Sequence, residues 1–371
     1  MQIQVQRLRE ALDLLRPAVP KKHPMPVLQN VLLNDGLAMA TDLDLAVVVQ
    51  LPEAEGQCVL PFRTVADVLK LIPWNDTLTL EQRGKDVDLR WDGGKASYQV
   101  PKPEDFPSLL EVEATVEQPV DGDILVPALL TMLEYCATGT DRPVLNGVTL
   151  VPGEHIDVWG ADGFRLAHLE LPISFPADGI DTIIIPASAV KVLGFLWKKA
   201  AISRPMAASL VGMITSRRML ELGVGDKSLK AQFGTVTFTT KLIQGTPPDF
   251  RQLMPDSSST KLQVFGPDLE RAVRQVQGLA RDGSGVVRLS WSEVSLTVSA
   301  KGEDTGDVEA SIPVDATNPG RVALDVSYLL GYLRGKEGVV TVGMQEGTGR
   351  PVLFEHSSLP QVLIMPMNVQ W

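Results

Sequence analysis

Few residues in this chain are spaced for chemistry, and that scarcity is itself informative. Gly223-Val224-Gly225-Asp226-Lys227-Ser228 is the nearest approach to a phosphate loop. It lacks the G-x-x-x-x-G-K-[ST] spacing, and Asp226 would repel a phosphate. His155 and Asp157 are two apart, which on a strand puts both on one face. The other histidines, at 23, 168 and 356, complete no metal set or catalytic triad with them. Asp162-Gly163 reads as a turn, with Asp bonding locally and Gly permitting positive φ. Cys58 and Cys136 are far apart and without metal spacing, as expected of free thiols in a reducing cytoplasm. The chain is therefore expected to be no enzyme and to need no cofactor and no metal.

Charge is the next chemical signal. The net charge is −11, from 34 Lys+Arg against 45 Asp+Glu, which argues against a protein gripping nucleic acid with its whole surface. Basic residues nevertheless recur on the outward faces of helical segments: Arg7, Arg9 and Arg16, then Lys70, then Lys191, Lys198 and Lys199, then Arg271, Arg274, Arg281, Arg334 and Lys336. Lys21 and Lys22 follow the first of these segments. Such a pattern fits either one positive surface facing a phosphate backbone or ordinary solvated helix faces, since Glu10, Asp13, Asp67, Glu134 and Glu270 share the segments. Apolar residues are 44% of the chain and charged ones 21%, an ordinary globular balance. No apolar run reaches membrane-helix length, and the amphipathic start lacks a signal-peptide core, so a cytoplasmic protein is expected.

The elements that carry these residues repeat. Apolar positions at i, i+3, i+4 and i+7 mark six helices. They are Leu8/Ala11/Leu12/Leu15, Val65/Val68/Leu69/Ile72, Leu129/Met132/Leu133/Cys136, Ala189/Val192/Leu193/Leu196, Leu269/Ala272/Val273/Val276 and Val326/Leu329/Leu330/Leu333. Taken in pairs, their first residues stand 57, 60 and 57 positions apart. The step from the first pair to the second is 121 positions and from the second to the third 140, so the middle unit carries an insertion, most simply around Arg204–Gly225.

Between the paired helices the period falls to two. Val27–Leu33, Leu37–Thr41 and Leu45–Leu51 read as strands, with Asn34-Asp35-Gly36 a hairpin turn. Leu145–Val151, Ile156–Gly160 and Arg165–Leu171 repeat the pattern, as do Val286–Trp291, Val294–Ala300 and Asp307–Ile312. Further strand-rich blocks span Thr77–Val100, Met219–Leu242 and Val339–Met367. Two units close on related phrases, Pro103-Glu104-Asp105-Phe106-Pro107 and Pro247-Pro248-Asp249-Phe250-Arg251. The expectation is an α+β chain of three repeated domains, at 1–118, 119–255 and 256–371.

At this point the phrases become specific. Met25-Pro26-Val27-Leu28-Gln29-Asn30, Thr41-Asp42-Leu43-Asp44-Leu45, Leu145-Asn146-Gly147, Asp162-Gly163-Phe164-Arg165-Leu166-Ala167, Phe238-Thr239-Thr240-Lys241-Leu242, Asp325-Val326-Ser327-Tyr328-Leu329 and Met365-Pro366-Met367 occur in this order across the three units. Together they resemble the bacterial DNA polymerase III beta subunit family, the sliding clamps, over essentially the full length. The resemblance implies three clamp domains per chain and a head-to-tail homodimer ring, with helices lining the hole and sheets outside. It implies double-stranded DNA held without sequence preference. It also implies partners, polymerases and the clamp loader among them, bearing short Gln/Leu/Phe peptides.

Residue by residue, the resemblance places a partner-peptide groove at Leu145, Ala161, Gly163, Phe164, Arg165, Leu166, Pro248, Leu253, Leu363, Met365, Pro366 and Met367. Core packing is the competing reading, especially for Leu145 and Leu166. It places a dimer interface at Phe106 and Leu109 on one side and Gly278 and Leu279 on the other, with a core role the alternative for Phe106. DNA-facing candidates are Lys22, Arg63, Lys70, Arg142, Lys198, Lys199 and Arg274. Departures are visible: Ala161 where the family usually has Thr, Phe164 where His is common, Phe250 for Tyr, and Pro143, Val144, Ala187 and Ser188 where relatives carry DNA-touching aromatic or basic residues. Trp371 is expected to fold toward the groove or an adjacent chain. The rival reading is a divergent clamp-fold protein that competes for clamp-binding peptides without being loaded on DNA.

Overall fold

A computed structural model describes residues 1–202, 217–302, 306–347, 349–358 and 360–371. One order of elements, strand–helix–three strands, occurs six times among the described residues, twice in each repeat. The first repeat runs β1 (Gln2–Gln4), α1 (Val5–Leu15), β2 (Asn30–Asn34), β3 (Leu37–Thr41), β4 (Leu45–Gln50), β5 (Gln57–Pro61), α2 (Phe62–Leu69), β6 (Thr77–Arg83), β7 (Asp86–Trp91) and β8 (Gly94–Gln99). The second runs β9 (Val116–Asp121), α3 (Gly122–Met132), β10 (Gly147–Val151), β11 (Ile156–Ala161), β12 (Arg165–Leu171), β13 (Ile183–Pro186), α4 (Ala187–Ile202), β14 (Met219–Val224), β15 (Ser228–Phe233) and β16 (Val236–Lys241). The third runs β17 (Thr260–Phe265), α5 (Gly266–Asp282), β18 (Val286–Trp291), β19 (Ser295–Gly302), β20 (Gly306–Pro313), a two-residue β21 (Asp315–Ala316), β22 (Gly320–Asp325), α6 (Val326–Leu333), β23 (Val339–Met344), β24 (Val352–Glu355) and β25 (Gln361–Ile364).

The predicted stripes are the buried faces of these helices. Leu8, Leu15, Val65, Leu69, Leu129, Met132, Leu193, Leu196, Leu269, Val276, Leu329 and Leu333 are each at most 1% exposed. Burying a large aliphatic side chain contributes about 1.5–3 kcal/mol, so each stripe outweighs the weak intrinsic stability of helices this short. Ile72 and Cys136, at the ends of their stripes, lie beyond the α-helices. Asp325 and Asp121 end the strands that lead into α6 and α3 and cap those helices. Asp325 Oδ1 accepts from the Ser327 and Tyr328 amides at 2.8 and 3.1 Å, and Asp121 Oδ1 from those of Asp123 and Ile124 at 3.0 and 3.3 Å.

The short strand before each helix was not foreseen. Its pairing explains why. β1 lies antiparallel to β6, with Gln2 opposite Thr79, and β5 lies against β2, with Asn30 opposite Pro61. Each half of the repeat thus lends its first strand to the sheet of the other half. The third repeat does the same, with β17 on β23 and β22 on β18. Two predicted strand starts also move. Pro26–Gln29 and Pro143–Leu145 are 3-10 turns, and the strands begin at Asn30 and Gly147. Proline supplies no amide for a ladder and presets a helical φ. Asn30 Nδ2 closes the first turn onto the Pro26 and Val27 carbonyls at 3.1 and 3.0 Å.

The chain divides into two compact units. One comprises Met1–Leu130, Val151–Ile156 and Pro172–Gln244, and the other Thr131–Leu150, Asp157–Leu171 and Gly245–Trp371. The division does not follow the repeats. In the first unit one sheet runs β5-β2-β3-β4-β16-β15-β14-β9, joined where β4 pairs with β16. In the second unit the order β10-β11-β12-β25-β24-β23-β17-β21 is joined where β12 pairs with β25. Each unit also holds a four-stranded sheet, β1-β6-β7-β8 and β20-β19-β18-β22 respectively. The expected insertion at Arg204–Gly225 lies largely outside the described residues, and Met219–Val224 within it is strand β14. Both cysteines are buried and neither forms a disulfide, and burial pushes the Cys58 thiol up to about 12, far from a reactive thiolate. No helix among the described residues is long and apolar enough to cross a membrane.

Candidate partner-binding groove and basic cleft

The groove begins with a turn that all three repeats share. Asp162 Oδ1 accepts from the Phe164 and Arg165 amides at 2.9 and 2.7 Å, linking β11 to β12. Asp42 Oδ1 does the same for Asp44 and Leu45 at 3.0 and 2.8 Å, and Ser292 Oγ for Val294 and Ser295 at 3.4 and 3.2 Å. Such side-chain-to-backbone bonds make a turn without help from the sheet. The predicted turn role of Asp162-Gly163 is therefore the one observed, and Gly163 takes φ 93°.

The turn lifts Phe164 to 58% exposure and holds Arg165 beneath it. Arg165 Nε meets Asp162 Oδ2 at 3.0 Å and Nη2 donates to the Glu134 carbonyl at 2.7 Å. Its guanidinium lies 4.5 Å from the Tyr328 ring centre and 5.2 Å from that of Tyr135. Phe164 stacks on Tyr328 at 6.3 Å. Burial pushes the Tyr135 phenol up to about 12, so this ring stays neutral beside the cation. Arg165 is thus a fixed strut, fully engaged by carboxylate, carbonyl and rings.

Behind the turn opens an apolar cavity of about 210 Å³, wholly within the second unit. Ten of the twelve residues expected in a groove line it: Leu145, Ala161, Gly163, Phe164, Arg165, Leu166, Pro248, Leu253, Leu363 and Met365. Pro366 and Met367 do not line it; the Met367 amide instead donates to the Ala323 carbonyl at 2.8 Å. Sequence reasoning missed Arg142, Phe250 and Pro351 as lining residues. Phe250 had a usable signal, the Asp-Phe phrase shared with Phe106, whereas Pro351 had none. Arg142, expected to face DNA, is exposed and sits over Gly163, where Nη1 would lie 2.6 Å from any added Cβ.

The first repeat shows what such a site looks like when filled. Aligning the two turns and the two Asp-Phe phrases sets Leu28, Leu43, Phe106 and Leu109 against Leu145, Gly163, Phe250 and Leu253. In the first unit Val27, Leu28 and Phe106 form a buried cluster, with Leu32, Leu43 and Leu109 packed on it. Leu43 reaches it from a left-handed backbone at φ 78°, a conformation costly for a side-chain-bearing residue. Where Leu43 fills, Gly163 leaves space. Phe106, at 8% exposure, is a core residue in the chain by itself; Gly278, expected opposite it, is exposed with nothing within 4 Å of an added Cβ. Leu109 and Leu279 are half-buried.

The basic candidates divide. Arg63 and Lys70 join Arg9 and Arg16 around an open cleft between α1 and α2, with Asp13 and Asp67 among its walls. Lys22 is exposed nearby, and Arg63 Nη2 donates to the Lys21 carbonyl at 3.1 Å. Several cations are matched by acids one turn away: Lys70 by Asp67 at 2.7 Å, Arg274 by Glu270 at 2.6 Å, and Arg16 and Arg271 by Asp13 and Asp268. On α4, Lys198 is exposed and Lys199 lies 6.0 Å from the Phe195 ring centre. Lys336 departs from expectation. It is buried, donating to the Ser358 carbonyl at 2.6 Å and lying 5.1 Å from the Tyr332 ring centre. Burial lowers its pKa below the ordinary lysine value. Trp371 stands 4.8 Å from the Arg321 guanidinium on β22 and does not line the cavity.

Of the two residues set on one strand face, Asp157 lies in β11 and His155 precedes it. Asp157 bonds His168 Nε2 at 2.8 Å and the Arg251 guanidinium, at the groove's rear.

Known proteins resemble this chain in sequence and in fold. A family model described as the central domain of the DNA polymerase III beta subunit matches residues 135–249. The beta sliding clamp of Caulobacter vibrioides is 24% identical over 348 residues, covering 89% of each chain. That of Escherichia coli K12 is 26% identical over 335 residues, covering 83% of this chain and 82% of its own. The DNA polymerase III beta-subunit clamp of Pseudomonas aeruginosa, solved bound to griselimycin, superposes with a TM-score of 0.84 at 22% identity, covering 100% of this chain and 99% of that one. The fold is that of the sliding clamps, α+β with three repeated clamp domains. Within that class, the resemblance to the bacterial DNA polymerase III beta subunits drawn from the sequence is borne out.

Proposed function

We propose that this chain is a DNA sliding clamp: a processivity factor that closes with a second copy into a head-to-tail ring around duplex DNA. The ring tethers polymerases, the clamp loader and other partners by short Gln/Leu/Phe peptides seated in the Gly163 cavity. On this reading residues 1–118, 119–255 and 256–371 are the three clamp domains, and the chain works in the cytoplasm by topology, with no chemistry of its own.

The apolar cavity carries the reading. Four segments remote in sequence, around Leu145, Gly163, Leu253 and Met365, converge on it. Its leucines and methionine offer adaptable apolar walls, while Phe164 projects at the rim. The α1–α2 cleft offers cations for phosphates. Their pairing with neighbouring acids keeps attraction weak, as sliding requires.

That same pairing favours a second reading, a clamp-fold competitor that binds partner peptides but is never loaded on DNA. Loader-dependent retention on nicked circular DNA separates the two. A sliding clamp stays on the circle and is lost when the DNA is cut to a free end. Peptide binding without retention on circles would establish the competitor instead.

A further inference from the structure

The wall of the cavity formed by Pro248 and Leu253 belongs to a segment outside every sheet, whose only regular structure is the 3-10 turn Arg251–Leu253. Its own hydrogen bonds are local. The Leu253 and Met254 amides donate to the Phe250 and Arg251 carbonyls at 3.1 Å each, and Asp249 accepts from the Arg251 amide at 3.1 Å and from Gln252 at 2.9 Å. Local bonds shape a segment without placing it. Two contacts tie it to the sheet behind. The Phe250 ring stacks on Trp159 at 5.7 Å, and the Arg251 guanidinium bonds Asp157 Oδ2. Asp157 is only 7% exposed and spends its other oxygen on His168, whose ring stacks on Trp159 at 3.9 Å.

Aligned on the shared turn, the first repeat has none of this apparatus. Leu37, Met39 and Val48 stand in place of Asp157, Trp159 and His168, and Pro107 in place of Arg251. That repeat holds Phe106 and Leu109 by direct packing on a cluster that includes Leu43. The second repeat, with glycine at the corresponding position, forgoes that packing and has a polar tether at the rear.

Building on the peptide-groove reading above, we propose that Asp157 and Arg251 are positioning residues: a clasp that holds the Pro248–Leu253 wall at the spacing a partner peptide needs, in place of the side chain that would otherwise fill the cavity. Neither residue need touch the peptide's anchoring side chains. A tether of this kind lowers the ordering that binding must impose and so acts mainly on dissociation.

The test uses the full chain, a fluorescein-labelled synthetic peptide carrying Gln, Leu and Phe, and three variants. Arg251→Ala and Asp157→Asn are expected to weaken binding about tenfold, equivalent to about 1.4 kcal/mol, chiefly through faster dissociation. Arg251→Lys, which retains the charge, is expected to restore part of the loss. Amide hydrogen exchange of residues 248–254 should quicken in Arg251→Ala without any peptide present. Because Arg251 is 66% exposed, this variant tests the clasp even if Asp157→Asn fails to fold. Wild-type affinity and wild-type exchange in Arg251→Ala would overturn the proposal. If the wild-type chain itself binds no peptide, the groove reading falls, and the exchange measurement still decides whether the clasp exists.

Discussion

Gly163 and Leu43 occupy equivalent turns, both with positive φ, yet one bounds a cavity and the other packs on a cluster. The difference is one side chain. Gly163→Leu is expected to occupy the cavity and reduce peptide binding at least about tenfold, while costing about 1–3 kcal/mol of stability for the left-handed backbone. Fluorescence anisotropy and urea unfolding measure the two effects; full affinity in a folded variant would count against the cavity as the binding site. Lys336 makes a different case. It is a buried ammonium bonded to a carbonyl and a hydroxyl, with no carboxylate in contact among the described residues. Removing a poorly compensated buried charge is often neutral or stabilising, so Lys336→Met is expected to change urea stability by less than about 1 kcal/mol or to raise it. A loss of several kcal/mol would show that its hydrogen bonds matter more than its desolvation.

At the scale of elements, six helices were legible from their apolar stripes because a stripe records local burial at a fixed period. The short strands leading into them were not. In β1 only Ile3 is buried between two exposed glutamines, and its partner β6 lies some seventy residues away. No local pattern can report a partner so remote. The helix starts offer a test of local control. Asp325→Ala removes both amide bonds at the start of α6 and should cost about 1 kcal/mol in urea unfolding, within the usual range for a lost N-cap. Asn at the same position should restore most of it. An unchanged midpoint for the alanine variant would mean that packing alone sets where the helix begins.

For the molecule as a whole, the two-chain ring proposed above predicts a solution mass near twice 40.2 kDa by light scattering. A mass of one chain at micromolar concentration would leave the ring without its second half. Phe106 sharpens the expectation. Being buried within its own cluster, it supports the surface offered by Leu109 more than it forms that surface. Three repeats, their six helices and the strands between the paired helices were readable from the sequence because repetition is a property of the chain itself, and the phrases that carry the family resemblance pointed to most of the cavity's residues. The ten groove residues that converge on the cavity were placed in the sequence by the family resemblance, one phrase at a time. The tertiary structure alone decided that the sheets run on between repeats through β4–β16 and β12–β25, dividing the middle repeat between two compact units. It alone decided that Lys336 turns inward, that Arg142 lines the cavity, and that Asp157 finds Arg251 across 94 positions. The physical reason is common to all of these. Which way a polar side chain turns depends on a partner brought near by packing, and periodicity along one segment carries no record of that partner.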